Sequence, residues 1–244
     1  MQNLKWPLIE PLIPASDLSL ETLVPDQIMV IRNLWTSTLC KKYISFLANL
    51  PLVTTSAVPK KGEAVRVNDR FQIDDFNFAK RLWEETALRD VVMGNGDDEP
   101  WPPLPEAERR SLWGGEVVGL NPNIRVYRYR KGQHFAQHYD DSNYVTLPTS
   151  PPTPARTTWT LLLYLTSPST GCIGGETVFY PDSIPVKGKK ARLDQNEPAG
   201  PIAVGLEIGM ALLHKHGNDC MLHEGKEVLD GEKWVIRSDL CVRR

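Results

Sequence analysis

His138-Tyr139-Asp140, followed far along the chain by Leu222-His223-Glu224-Gly225 and then by Lys233, is the pattern from which the fold is read. Side chains alternate faces along a strand, so a His-x-Asp triplet on a strand sends both of its functional side chains to one side. Two histidines and a carboxylate on a β scaffold can hold a ferrous ion on one face and leave the opposite positions open, as oxygen chemistry requires. The third ligand must come from a distant strand, and His223 is the best-placed histidine. Lys233, ten residues beyond it, would supply a fixed positive charge for the far carboxylate of an oxo-acid cosubstrate.

Outward from the triplet, the second half of the chain reads as β structure. Asn123 to Arg130 alternates with β-branched and aromatic residues, and Thr157 to Thr166 is an apolar run of strand length. Glu176 to Tyr180, Ala203 to Leu206, Met210 to His214 and Lys233 to Val242 also read as strands. Many short strands with Gly and Pro turns predict a jelly roll, the cupin-like double-stranded β-helix in which two antiparallel sheets pack. On the Thr157–Thr166 strand Thr160, Leu162 and Tyr164 share a face, so Tyr164 can point into an otherwise apolar barrel. Its buried hydroxyl then needs a partner, and a carboxylate is a good one.

The first half reads as mainly helical. Residues 1–25 are proline-punctuated and irregular, and Gln27 to Leu34 is a short strand. Thr36 or Ser37 caps a helix running to about Leu50, which Pro51 stops. Residues 54–70 are polar and charged, Asp74 and Asp75 precede a helix through Phe78, Leu82 and Trp83, and residues 94–106 are a loop. The fold class is therefore mainly β with flanking helices (α+β). One domain covers residues 1–244, with helical N-terminal support over 1–115 and a jelly-roll catalytic core over 116–244. Two loops, Leu147–Ala155 and Ile184–Pro201, are placed at the barrel mouth, where specificity commonly resides. The first reads as a mobile lid.

The chain has 244 residues, 41% hydrophobic and 24% charged, with a formal net charge of −2. That length supports a sizeable core, and the charge excludes a protein that traps nucleic acid or acidic membranes by its overall field. Four scattered cysteines without a C-x-x-C pair read as reduced thiols in or near the core. The N-terminal stretch lacks the pattern of a signal peptide, and no run is long enough to span a bilayer, so a cytoplasmic or nuclear location is the default expectation.

The order Tyr129-x-x-Gly132, five residues, His138-x-Asp140, then Tyr164-Leu165, Gly174-Gly175-Glu176-Thr177-x-Phe179, and His223 with Val228-x-x-Gly231-x-Lys233-Trp234 resembles the catalytic domain of the prolyl 4-hydroxylase branch of the Fe(II)/2-oxoglutarate dioxygenases. The resemblance covers roughly residues 120–240. It implies that His138, Asp140 and His223 are the catalytic iron ligands and that Lys233 pairs with the C5 carboxylate of 2-oxoglutarate. It places the hydroxyls of Tyr129, Tyr164 and Thr177 around that cosubstrate. Arg237 lies four residues after Lys233, on the same strand face, and competes with it, since an arginine fork binds a carboxylate bidentately. The spacing of Lys233 and the Trp234 that follows it favour the lysine; Arg237 would otherwise pair with a neighbour such as Asp239. The implied cofactors are Fe(II), 2-oxoglutarate and O₂, with ascorbate as a reductant. The implied reaction converts 2-oxoglutarate to succinate and CO₂ and hydroxylates an unactivated C–H bond.

The resemblance points first to a prolyl or other side chain in a peptide or protein. A small metabolite or free amino acid is the first alternative. An AlkB-like nucleic-acid demethylase is the second; the basic run Arg125–Lys131 would serve it, but the net acidity and Lys233 argue against it, as does the expectation that these charges are solvated or ion-paired. A non-catalytic jelly-roll binding module is the third, and the intact triad weighs against it. His134, His214 and His216 are expected to be solvated or hydrogen-bonded bystanders.

Overall fold

Two twelve-residue strands, Thr153–Tyr164 and Glu232–Arg243, lie side by side at the centre of the protein. The computed structural model describes residues 4–59, 62–94, 105–181 and 200–244. The loop expected over 94–106 lies almost wholly outside the described residues, as does Ile184–Pro201 up to residue 199.

In chain order the strands are β1 (Leu20–Val24), β2 (Ile28–Ile31), β3 (Val53–Thr54), β4 (Asp69–Asp74), β5 (Val117–Leu120), β6 (Asn123–Arg130), β7 (Phe135–His138), β8 (Tyr144–Leu147), β9 (Thr153–Tyr164), β10 (Ile173–Gly174), β11 (Thr177–Tyr180), β12 (Ile202–Val204), β13 (Ala211–Lys215), β14 (Leu222–Gly225), β15 (Val228–Asp230) and β16 (Glu232–Arg243). The helices are α1 (Ser37–Leu47), α2 (Phe76–Glu84), α3 (Leu88–Met93) and α4 (Glu106–Trp113). The major sheet runs β1-β2-β13-β9-β16-β6-β4-β3, with β5 also on β16 and β8 on β9. The minor sheet runs β12-β11-β14-β7, and β10 pairs with β15. All of these pairings are antiparallel, as the jelly-roll reading requires.

The alternation of side chains decides what each face of the major sheet does. Leu161 and Leu163 of β9, Trp234 and Ile236 of β16, Ile124 and Val126 of β6, and Ala211 and Leu213 of β13 face one way, into a core shared with the helices. Their neighbours Tyr164, Val235, Tyr127, Tyr129 and Leu212 face the interior between the sheets, where they meet Phe179 and Val204 of the minor sheet. Helix α1 starts where Thr36 Oγ1 accepts from the Leu39 N–H (3.1 Å), and α2 starts where an Asp75 oxygen accepts from the Phe78 N–H (2.9 Å). Both are N-caps, and both helices bury one stripe: Leu39, Cys40, Tyr43 and Leu47 on α1, Phe78, Ala79, Leu82 and Trp83 on α2. Each such large apolar side chain contributes about 1.5–3 kcal/mol on full burial.

The N-terminal half holds helices α1 to α4 and more strand than expected. Within residues 1–115 lie β1 to β4 as well as the helices, and β1, β2 and β4 extend the major sheet. Leu20–Val24, expected to be irregular, pairs with β2, and Asp69–Asp74 pairs with β6 along its whole length. Leu147–Ala155, expected as a mobile lid, is the tip of the β8–β9 hairpin, with Leu147 opposite Thr153 and Leu147 and Ala155 buried. All four cysteines are free and buried, and among the described residues no helix is long and apolar enough to cross a membrane.

Gly209, with φ +78°, turns the chain into β13 at a point where an added Cβ would sit 1.8 Å from the Trp35 carbonyl oxygen. Left-handed backbone and direct collision with main chain both exclude a side chain there. Gly209→Ala is expected to lower unfolding free energy by about 3 kcal/mol or more, measured by urea denaturation; a loss below about 0.5 kcal/mol would show that the turn relaxes freely.

Candidate active site

The register between β7 and β14 puts His138 opposite His223. Directly opposed residues of an antiparallel pair present their side chains on the same face, so two histidines 85 positions apart in the chain become neighbours, with ring centroids 4.2 Å apart. Asp140 follows just beyond the end of β7. Its Oδ1 lies 3.8 Å from His138 Nε2 and its Oδ2 3.8 Å from His223 Nε2. The ligand atoms of the three residues lie within 4.8 Å of one another.

Both imidazoles are held in the tautomer a metal needs. His138 Nδ1 contacts the Ala136 carbonyl at 2.8 Å and His223 Nδ1 the Met221 carbonyl at 2.9 Å. A carbonyl can only accept, so the proton sits on Nδ1 and the Nε2 lone pair is left facing Asp140. Burial pushes the His138 pKa down to about 3 and lowers that of His223, which keeps both rings neutral and ready to ligate. Phe135 stacks on His138 at 3.5 Å between centroids, and Phe179 lies 5.5 Å from His223.

Asp140 is 8% exposed. Burial favours its neutral form, but Arg237, helped by the surrounding imidazoles, outweighs burial and holds the carboxyl well below the usual carboxylate range. The guanidinium reaches Oδ1 through Nη1 (3.2 Å) and Oδ2 through Nη2 (2.9 Å). A directional chain also ends on Oδ2. Thr160 Oγ1 donates to it (2.9 Å), so Thr160 accepts from His216 Nδ1 (3.0 Å), and His216 Nε2 in turn accepts from Thr157 Oγ1 (2.9 Å). His216 is thus buried and hydrogen-bonded rather than solvated.

Deeper in the barrel, β16 places Lys233 opposite Tyr129 of β6. Lys233 is 5% exposed, its Nζ donates to the Gly175 carbonyl (2.7 Å), and it lies 5.4 and 5.3 Å from the ring centroids of Tyr129 and Tyr164. The Tyr164 hydroxyl is 2.7 Å from Thr177 Oγ1. Gly175 has φ +77°, and a Cβ there would approach Lys233 Cδ to 3.2 Å, so the Gly174-Gly175 pair is what admits the lysine. Burial lowers the Lys233 pKa to about 8, and among the described residues no carboxylate lies within ion-pair distance of it. Arg237 differs: it pairs with Asp140 and also reaches Asp239 Oδ1 at 3.5 Å. The two cations weighed from the sequence therefore have different surroundings, one answered by acids and the other not.

His214 was read as a bystander, and the structure corrects this. It is 2% exposed, and its Nε2 lies 3.7 Å from Asp140 Oδ2. The alternation that placed Leu212 inward on β13 places His214 inward as well, so the signal was present in the sequence. The run Arg125–Lys131 holds no free phosphate-binding row: Arg125 pairs with Asp239 (2.6 Å), Arg128 with Asp69 (2.8 Å) and Arg130 with Asp69 and Glu232 (3.5 Å each). A cavity of about 1490 Å³ opens beside the triad, with His138, Asp140 and Arg237 at its floor and Arg70, Gln72 and Asn123 of β4 and β6 along one wall.

Residues 124–238 match the family model described as the 2OG-Fe(II) oxygenase superfamily. No curated protein matches in sequence. Among solved structures, a prolyl hydroxylase from Trichoplax adhaerens in complex with a hypoxia-inducible-factor peptide fragment aligns with a TM-score of 0.52 at 15% identity, over 88% of this chain and 83% of that one. A Pseudomonas putida prolyl-4-hydroxylase aligns at 0.50 and 12% identity, over 89% and 94%. HygX from Streptomyces hygroscopicus, with nickel and 2-oxoglutarate bound, aligns at 0.50 and 15% identity, over 88% and 83%. These identities establish a shared fold. The family match gives the class: residues 124–238 are a 2OG-Fe(II) oxygenase superfamily domain, that of a dioxygenase dependent on Fe(II) and 2-oxoglutarate.

Proposed function

We propose that this dioxygenase hydroxylates an unactivated C–H bond of a prolyl or other side chain within a peptide or protein. In this reading His138, Asp140 and His223 hold the iron, and Lys233, with the hydroxyls of Tyr129, Tyr164 and Thr177, anchors 2-oxoglutarate. Arg237 belongs to Asp140 rather than to the C5 carboxylate, because its charge is already met by two acids. Lys233 carries a buried positive charge that donates to the Gly175 carbonyl, and a carboxylate would complete it.

The iron, when bound, activates O₂ at the expense of 2-oxoglutarate oxidation. The chain's own residues do the rest. The backbone carbonyls of Ala136 and Met221 fix the two imidazoles, Thr160 and Arg237 orient the carboxylate of Asp140, and the aromatic walls of Phe135 and Phe179 exclude water from the two histidine ligands.

The observation that carries the substrate reading is the cavity. At about 1490 Å³ it exceeds the roughly 300–1,000 Å³ of a small-molecule site. Its wall presents Arg70, Gln72, Asn123 and Asn143, groups suited to the amides of an extended main chain. The Trichoplax relative was solved with a peptide, which agrees with this choice. The test is a mass gain of one oxygen on proline-containing peptide pools, compared with free amino acids and metabolites; a gain confined to the small molecules would sink the peptide reading.

Two further outcomes check the assignments. His138→Ala is expected to abolish Fe(II)-dependent succinate formation; near-normal turnover would remove His138 from the triad. Lys233→Met is expected to lose 2-oxoglutarate binding, read as the visible charge-transfer band in an anaerobic titration with Fe(II), while the unloaded variant becomes more stable by about 1–3 kcal/mol at pH 7. The sign follows from the lowered pKa: below about 8 the lysine is charged and burial penalises it in the folded protein, and Met removes that penalty. For the unsubstituted protein only the charged lysine pairs with the C5 carboxylate, so 2-oxoglutarate affinity should fall about tenfold between pH 7 and pH 9. A pH-independent affinity would give the C5 carboxylate another partner.

A further inference from the structure

We propose that the substrate carries a carboxylate near the carbon that is hydroxylated, and that Arg66 and Arg70 form the cradle that holds it. This rests on the peptide-hydroxylase reading above and narrows its substrates to acidic ones.

Arg66 is fixed beside the triad by its main chain. The Val67 N–H donates to the His134 carbonyl (2.9 Å) and the Ala136 N–H to the Val65 carbonyl (2.8 Å). Arg66 therefore sits opposite Phe135, on the edge of β7 that β14 leaves free. Its guanidinium lies 3.9 Å over the Phe135 ring centre, and Phe135 stacks on His138 at 3.5 Å. Two groups this close to one ring centre occupy opposite faces, so a single aromatic ring separates the guanidinium from the His138 imidazole. Arg70 comes from β4, opposite Tyr127 of β6, and Arg66 lies 5.6 Å from the same Tyr127 ring. Both arginines line the cavity beside the triad. Burial raises the Tyr129 pKa, and both guanidiniums oppose that rise, which again puts them on one side of the pocket.

What the two share is a charge that no acid answers. Arg125, Arg128, Arg130 and Arg237 on the neighbouring strands are each ion-paired. Among the described residues Arg66 and Arg70 have no carboxylate within ion-pair distance; Arg66 contacts the two rings, and Arg70 donates to the Gln72 amide oxygen. Stacking occupies the face of a guanidinium and leaves the N–H donors, which lie in its plane, free at the edge. A carboxylate fits such an edge bidentately. Glu63, Asp74 and Asp141 also line the cavity. Asp74 is four residues along β4 from Arg70, roughly 13 Å at the rise of a strand, and accepts there from Asn123. These three acids disfavour a dianionic guest, so a singly charged carboxylate suits the cavity better than a phosphoryl group.

An anchor one ring away from His138 fixes how the rest of the substrate lies and so selects which carbon is presented to the centre. Arg66 and Arg70 are specificity residues in this scheme and take no part in the oxidation itself. An Asp or Glu side chain, a free chain terminus and a free amino acid all offer the same group, and the test separates them.

The probes are capped proline-containing peptide libraries with Asp or Glu beside the proline, matched libraries with Asn or Gln there, uncapped peptides with a free C-terminus, and free amino acids against their amides. Oxygen gain by mass gives kcat/KM for each. Acidic members are expected to be preferred about tenfold or more over their amides, mainly through KM. Arg66→Gln and Arg70→Gln should each erase most of that preference, Arg66→Lys should retain part of it, and Arg66→Glu should shift it toward lysine-containing peptides. Equal turnover of acids and amides by the unsubstituted protein would overturn the proposal. So would an equal loss on both in Arg66→Gln folded by urea titration, which would make Arg66 a prop for Phe135. A weakened 2-oxoglutarate charge-transfer band in that variant would hand the arginine to the cosubstrate and overturn it too. Acid-selective oxidation confined to free amino acids would remove the peptide reading and leave the cradle standing.

Discussion

A carboxylate buried at the end of β7 is the constraint on which the site depends. Asp140 is 8% exposed, and an ionised acid removed from water must be answered by charge and hydrogen bonds. The answers come from every side of the barrel: Arg237 from β16, Thr160 from β9, and imidazoles from β7, β13 and β14. Each of those elements is held in register by sheet pairing. Displacing one strand by a single residue would turn its contribution outward, away from the carboxylate.

The major sheet makes this possible by dividing its two faces. Apolar residues on one face pack against α1 and α2 and the buried tryptophans, which provides the stability. The interior face can then afford polar groups at one end, next to an apolar stretch around Tyr164, Val235 and Phe179. A polar interior is tolerated because the opposite face of the same strands is predominantly apolar. The helices therefore support the chemistry without touching it.

Much of this arrangement was legible in the sequence, and what was not has a physical reason. β9 and β16 announced themselves because both of their faces are largely buried over a long run, and β6 because its β-branched and aromatic residues alternate. His138, Asp140, His223 and Lys233 were legible because strand period and spacing fix which side chains can meet. β4 was missed because Arg70, Gln72 and Asp74 face the cavity, so that only Phe71 and Ile73 carry the apolar half of the pattern. β1 was missed because Glu21 and Thr22 are exposed at the sheet edge. His214 was passed over although the alternation that turns Leu212 inward turns it inward too; its nearness to Asp140 appears only when β13 is set beside β9. The ion pairing of Arg125, Arg128 and Arg130 is likewise a property of neighbouring strands, and no reading along one strand could supply it.

Three of the groups left unanswered share one interior. Lys233 has a charge without a carboxylate, and the buried nitrogens Arg237 Nε and His214 Nε2 have no partner. A divalent cation and a dicarboxylate together add no net charge, yet they would redistribute what is there. The cation would take an Asp140 oxygen from the guanidinium, and one end of the dicarboxylate would meet Lys233. The protein thus carries in its folded state a carboxylate already answered by Arg237 at one end of the pocket and a buried positive charge among tyrosines at the other. A cation alone would add charge beside Arg237 and a dicarboxylate would offset it, so the proposed assignment makes metal and cosubstrate binding mutually reinforcing.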